Sequence, residues 1–168
     1  MFFFAVVVVV APLAALAGRS GVTGFAGWPA RLRLGLAVAL WLAGADHLAN
    51  PGRYLPMLPG FVPHPAGTVL FTGLCEIAGG VGLLLPRLRR LAGLLLAVYF
   101  VCVFPANVKN ALDGGAGLEG LPAATWYYWV RLCLQPLAVW WALRAAEVIE
   151  RPAPGRRVAP AARPVAWA

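Results

Sequence analysis

From Pro65 to Leu85 the chain is apolar and carries a single charge, Glu76, near its middle. As a helix at 1.5 Å per residue, that stretch is about 30 Å long, the thickness of a bilayer's hydrocarbon core. A carboxylate at such a depth costs roughly 2.5–3.5 kcal/mol on insertion scales, and it persists where it is paired, protonated or turned to a polar interior. The chain is therefore expected to fold as helices in a membrane, around an interior that receives Glu76. Composition agrees. Of 168 residues, 61% are hydrophobic and 12% charged, and the mean hydropathy is +0.78. The charged share is about half that of a soluble domain. The length accommodates four or five spans with short loops and no separate soluble domain.

The first apolar run is Phe2 to Ala17. Ala15-Leu16-Ala17 resembles a signal-peptide cleavage site, but no basic residue precedes the run, and cleavage would export Arg31 and Arg33. An uncleaved span is expected. A second run, Leu32 to Ala49, is stopped by Asn50-Pro51-Gly52, because the residue before proline is pushed out of the helical region. Between Arg53 and Pro65, the prolines at 56, 59, 63 and 65 are expected to forbid regular helix, leaving an apolar segment in the interface or over the bundle mouth. Ala66 to Leu85 ends at Pro86-Arg87-Leu88-Arg89-Arg90. Leu91 to Leu112 contains Pro105, and Ala124 to Val148 contains Pro136. Trp126-Tyr127-Tyr128-Trp129 and Trp140-Trp141 read as interfacial belts. Three units follow: 1–30, a transmembrane helix and Gly-rich linker; 31–148, the main all-α, polytopic membrane domain; and 149–168, a basic Pro/Ala-rich tail expected to be disordered.

Alternating helices sort the loops onto two sides. One holds Arg19, Arg31, Arg33, Arg87, Arg89, Arg90, Arg144, Arg151, Arg156, Arg157 and Arg163; the other holds Arg53 and Lys109. The basic side is cytoplasmic by the positive-inside rule. The C-terminus is thus expected inside, and the N-terminus outside if the first span is retained. This topology and attraction to anionic lipid account for the net charge of +8, so no nucleic-acid partner is expected. The three cysteines, Cys75, Cys102 and Cys133, lie in apolar segments without paired spacing. Neither a disulfide framework nor a metal site is indicated.

Helical rise also places the polar residues in depth. Asp46 and His47 fall roughly 20 Å above the cytoplasmic end of their span, Glu76 about 15 Å below the outer end of its own, and Arg131 and Gln135 about 10 and 16 Å below theirs. Asn107 and Lys109 fall near the outer surface. All occupy the outer half of the core. Gly73, Gly79 and Gly80 share a face with Glu76 and let neighbouring helices approach it. Pro105 frees the Val101 carbonyl and Pro136 that of Leu132, both near this layer. The candidate pocket is Asp46, His47, Glu76, Asn107, Arg131 and Gln135, with Tyr54, His64 and Lys109 as a rim; no catalytic residue is assigned. Arg131 is the expected partner of Glu76, either as an ion pair that locks packing or as a joint holder of a substrate, a quinone headgroup or a proton. Asp46-His47 is either a polar helix end or a proton-exchanging pair. Lys109 is expected to snorkel to the interface, and His64 to be structural.

Several motifs resemble the DoxX-like family of small integral membrane proteins. Gly44-Ala45-Asp46-His47-Leu48-Ala49-Asn50-Pro51, followed by Tyr54-Leu55-Pro56-Met57-Leu58-Pro59, is similar to its G-x-x-H-x-x-x-P…Y…M-x-P signature. Gly73 to Pro86 resembles its G-x-x-E-x-x-x-G-x-G-L-L-x-P helix, and Val103-Phe104-Pro105-Ala106-Asn107 its V-F-P-A-N segment. Arg131-Leu132-Cys133-Leu134-Gln135 resembles its R-L-P-x-Q, with Cys133 in place of proline. The resemblance spans Leu32 to Leu143. It implies a four-helix membrane bundle, to which Phe2 to Ala17 adds an N-terminal helix, and matches the six pocket residues position by position. Named members are associated with quinone-linked sulfur oxidation and with membrane redox complexes that handle oxidative stress. The expectation is a subunit in the plasma (inner) membrane near the quinone pool, with the lipid bilayer, a membrane redox protein or a second copy as partners. No flavin, haem, iron–sulfur or nucleotide motif is visible, so a complete enzyme is not expected. A small-solute transporter and a structural or assembly factor are the alternatives.

Overall fold

The computed structural model describes residues 27–115 and 125–149, together with 9, 10 and 12. Most of the run Phe2 to Ala17, most of its linker, residues 116–124 and the tail lie outside the described residues. Among the described residues all regular structure is helical: α1 (Trp28–Ala49), a short α2 (Pro51–Tyr54), a 3-10 turn (Leu55–Met57), α3 (Pro65–Leu84), α4 (Arg89–Cys102), α5 (Phe104–Leu112) and α6 (Thr125–Ala145). Three helical stretches are long and apolar enough to cross a membrane: α1, α3, and Arg89–Leu112, which is α4 and α5 together. α6 is long enough but falls outside that group, since it carries Arg131, Gln135, Arg144 and several tryptophans and tyrosines.

The prolines act by position. The Pro-rich segment after Asn50 is more regular than expected. Pro51 opens α2 and Pro56 lies in the first positions of the 3-10 turn, where no intrahelical bond needs their missing N–H. Pro105 likewise sits in the first turn of α5, so one expected span becomes two helices hinged at Val103. Pro136 is different, because α6 runs straight through it.

α1 lies most extensively on α3, and α4 on α6; α1 also meets α6, and α3 meets α4. α3 shares no comparable surface with α6. The core between them holds Leu32, Leu36, Leu40, Leu83, Leu96, Phe100 and Trp141, packed against Ala138, Ala142, Ala145 and Ala146. Phe71, Leu94, Leu95, Val98 and Val101 are exposed, apolar side chains compatible with a lipid surrounding.

The two ends of the molecule differ. At one end the start of α1, the start of α4 and the end of α6 converge. Arg33 Nη1 donates to the Ala145 carbonyl at 3.0 Å and to Glu147 Oε1 at 2.8 Å, and Arg89 Nη1 lies 3.6 Å from the same carboxylate oxygen. Arg33 thereby satisfies a carbonyl at the negative end of α6. At the other end Lys109 donates to the Pro56 carbonyl at 2.8 Å and to Asp113 at 2.6 Å, so it clamps the Pro-rich segment to α5 instead of extending freely. The Arg33 hydrogen bond holds the Glu147 carboxyl below its ordinary value, helped by the charges of Arg33, Arg89 and Arg144 and opposed by partial burial. The folded pKa lies below the unfolded value near 4.5, so this contact contributes above that value and fades as pH falls through the folded one. The thermal midpoint should accordingly drop on acidification below about pH 4.5, and Glu147→Gln should remove that part of the drop.

Candidate functional site

The site is built where α1 crosses α3, and glycine sets the distance. A Cβ on Gly44 would stand 2.7 Å from the Gly73 carbonyl oxygen and 2.8 Å from Ile77. One on Gly73 would stand 2.9 Å from His47 Cβ and 3.0 Å from the Gly44 carbonyl oxygen. The backbones touch, as small residues permit between membrane helices. Gly80 repeats the device one step along: its face is covered by the Trp41 indole, which donates to the Ile77 carbonyl at 3.3 Å. Gly79, expected on this same face, packs on Leu96 of α4 instead. Gly44 precedes His47 by three residues, and Gly73 precedes Glu76 by three. The crossing therefore presents the two polar side chains to each other.

Glu76 is 6% exposed. Its Oε1 accepts a hydrogen bond from the Tyr99 hydroxyl at 2.8 Å. His47 Nδ1 lies 3.0 Å from Oε2 and 2.9 Å from the Ala43 carbonyl oxygen. Both neighbours of that nitrogen are acceptors, so Nδ1 carries a proton. Its N–H is shared with Ala43, and Oε2, though shielded from solvent, has no well-aligned donor among the described residues. The expected Glu76–Arg131 pair does not form. Glu76 is held by His47 and Tyr99, because α3 packs on α1 and α4 and not on the Arg131 face of α6.

His47 is covered from outside. The Tyr54 ring stacks on the imidazole with centroids 3.8 Å apart and planes 23° from parallel. The Tyr54 hydroxyl donates to Asp46 Oδ2. Arg53 Nη1 reaches the same carboxylate at 2.8 and 3.1 Å, and Asn50 Nδ2 donates to Oδ1 at 2.8 Å. Burial, then the bond to Asp46, pushes the Tyr54 hydroxyl well above its ordinary pKa, so it stays a donor at any physiological pH. Asp46 and His47, neighbours in sequence, thus diverge. Asp46 anchors α2 near the surface, while His47 turns inward.

A second network joins α5, α6 and the end of α4. Arg131 Nη2 donates to Asn107 Oδ1 at 3.0 Å, Asn107 Nδ2 donates to Gln135 Oε1 at 3.0 Å, and Gln135 Nε2 donates to the Phe100 carbonyl at 2.5 Å. The Arg131 guanidinium lies 5.8 Å from the centre of the Tyr127 ring. Phe100 is among the last residues of α4, where the helical ladder runs out. The carbonyl expected to be freed by Pro105, that of Val101, is approached by the Val103 N–H; the acceptor that Gln135 uses is that of Phe100. Gln135→Leu would remove one donor to this carbonyl and take the acceptor from Asn107 Nδ2; the loss should be about 1–3 kcal/mol in unfolding free energy, read by thermal denaturation in detergent.

The six predicted residues therefore form two networks: Asp46, His47 and Glu76 in one, and Asn107, Arg131 and Gln135 in the other. They are joined through the adjacent residues Tyr99 and Phe100. Of the rim, Tyr54 belongs to the first network. Lys109 stands apart in its clamp, and His64 is exposed at the turn before α3, with a left-handed backbone at φ 47°. Sequence reasoning missed Tyr99, which reads as one more apolar residue of α4, and Arg33, which reads as a loop charge and is 9% exposed. The paired spacing of Gly44 with His47 and Gly73 with Glu76 was the signal that links those two. Among the described residues no group of His, Cys, Asp or Glu side chains converges as a metal centre.

The chain matches a family model described as a domain of unknown function (DUF8561) over residues 36–146, which contain both networks. No curated protein and no solved structure matches it. Since that match covers most of the 168 residues, the chain belongs to the DUF8561 family.

Proposed function

We propose that this chain is a DoxX-like, multi-pass four-helix bundle of the inner membrane, with its C-terminus cytoplasmic, and that it serves as the membrane subunit of a quinone-linked redox complex. In this reading Glu76, with His47 and Tyr99, exchanges a proton with the quinone. The observation that carries it is the shielded Glu76 Oε2, a carboxylate oxygen left without an aligned donor beside a titratable imidazole. Intramembrane carboxylates in such surroundings characteristically mark proton relays. The orientation is supported by Arg33, Arg89 and Arg144 gathering at one end and Arg53 and Lys109 at the other. An open apolar groove at the Lys109 end, lined by Pro59, Phe61, Phe104, Pro105, Val108 and Leu112, offers an apolar carrier a surface. Arg131, Asn107 and Gln135 are less suited to hold a quinone carbonyl than their depth implied, because they are engaged with one another and with Phe100.

The test is titration of purified protein in nanodiscs with a short-chain quinone, followed by its ultraviolet absorbance. Saturable binding is expected, weakened roughly tenfold by Glu76→Gln, a loss of about 1.4 kcal/mol. Absence of saturable binding would reject the quinone. One observation favours a second reading, as an assembly or packing factor: the Arg131–Asn107–Gln135 network closes on itself. There Glu76→Gln would lower stability without altering any binding isotherm.

A further inference from the structure

We propose that Glu76 gains and loses its proton from one end of the molecule alone, the end closed by α2, through the His47 imidazole, and that Tyr54 is the positioning residue that covers this route. The inference rests on proton exchange at Glu76 but not on the identity of the carrier.

The ionisable groups around Glu76 come from every element packed on it. Asp46 and His47 are on α1, Arg53 and Tyr54 on α2, Tyr99 on α4, and Cys75 beside it on α3. Tyr99 is a donor to Oε1 and already spends its proton there. That leaves His47 facing Oε2. While Glu76 is ionised, Nδ1 points at two acceptors and carries the proton of the neutral ring, so a new proton must enter at Nε2. A proton added at Nε2 makes the imidazolium. The Nδ1–H bond then breaks as Oε2–H forms, leaving a neutral carboxyl and a neutral ring protonated on Nε2. The reverse steps return the proton, and no electron moves.

The two ends offer unequal access. The His47 side chain retains 16% exposure against 8% for Glu76. What stands over it is the Tyr54 ring, held by Asp46, which Arg53 and Asn50 hold in turn. Toward the other end lies an apolar layer, with Leu36, Leu40 and Leu83 fully buried. The Trp41 indole is bonded across the α1–α3 seam in the same direction. The next charge on α1 is Arg33, roughly 20 Å away by helical rise and engaged with Ala145 and Glu147. Among the described residues, a proton crossing that layer finds no relay.

The experiment uses the full chain in liposomes of known orientation and the infrared carbonyl band of protonated Glu76, assigned by its loss in Glu76→Gln. The band should follow pH changes on the α2 side and ignore those on the Arg33–Glu147 side. Tyr54→Ala should speed the response roughly tenfold, and Tyr54→Phe, which keeps the stack but loses the bond to Asp46, should fall between. Equal response from both sides, or a rate indifferent to both Tyr54 variants, would overturn the proposal, as would a carboxyl that never titrates. If Tyr54→Ala does not fold, the wild-type sidedness and the Phe variant still decide. One-sided titration without quinone binding would reject the quinone reading alone. Two-sided titration with quinone binding would reject this one alone.

Discussion

Gly44→Leu should abolish the folded protein. A Cβ at this position meets the Gly73 carbonyl oxygen at 2.7 Å, and a backbone atom in the middle of a helix has nowhere to move. The milder Gly44→Ala sets two effects against each other. Alanine gains about 0.8–1 kcal/mol in helix propensity, while overpacking typically loses about 1–3 kcal/mol. The contact is with backbone, so the loss prevails, and a net destabilisation of about 1–2 kcal/mol is expected. Gly67→Ala is the matched control on α3, since its added Cβ would meet only His64 Cβ at 3.8 Å, an ordinary contact. It should be neutral or slightly stabilising. Thermal unfolding in detergent, followed by near-ultraviolet circular dichroism, distinguishes the two. A Gly44→Ala variant as stable as Gly67→Ala would mean that the α1–α3 seam is looser than described.

The second large effect belongs to the His47–Glu76 couple. His47→Ala leaves the carboxylate in apolar surroundings with Tyr99 as its hydrogen-bond donor. Removing a polar neighbour of a buried carboxylate typically loses about 1–3 kcal/mol, and more where the group is charged. Glu76→Gln is gentler, because the amide oxygen still accepts from Tyr99. With the charge removed, His47→Ala should matter much less. A double-mutant cycle over the two positions should thus show a coupling of about 1–3 kcal/mol. Additivity within about 0.5 kcal/mol would show that the two groups do not sense each other.

Much of this architecture was legible from simple counting. The apolar runs and the stop at Asn50-Pro51 predicted α1, α3 and the stretch from α4 to α5 to within a few residues, though as one span and not as two helices. Those signals are local, set by helical rise and by the geometry of proline. The candidate residues were found by the same means, since a charge in an apolar segment needs an explanation wherever it is found. Their pairing was not legible. Depth along a span says which residues share a layer, but it does not say which helix faces which. Glu76 and Arg131 share a layer and still do not meet.

Sequence by itself determined that the described chain is helical and which few polar residues must be accommodated among its apolar segments; of the four or five spans expected, three described stretches are long and apolar enough to cross a membrane. These follow from periodicity and transfer free energy, which each segment carries alone. Tertiary structure decided the rest. Glycine contacts at Gly44 and Gly73 brought His47 to Glu76, the turn after Asn50 folded Tyr54 over that imidazole, and the packing of α6 on α4 brought Gln135 to the Phe100 carbonyl. Each depends on the azimuth of one helix against another, a quantity that no single segment contains.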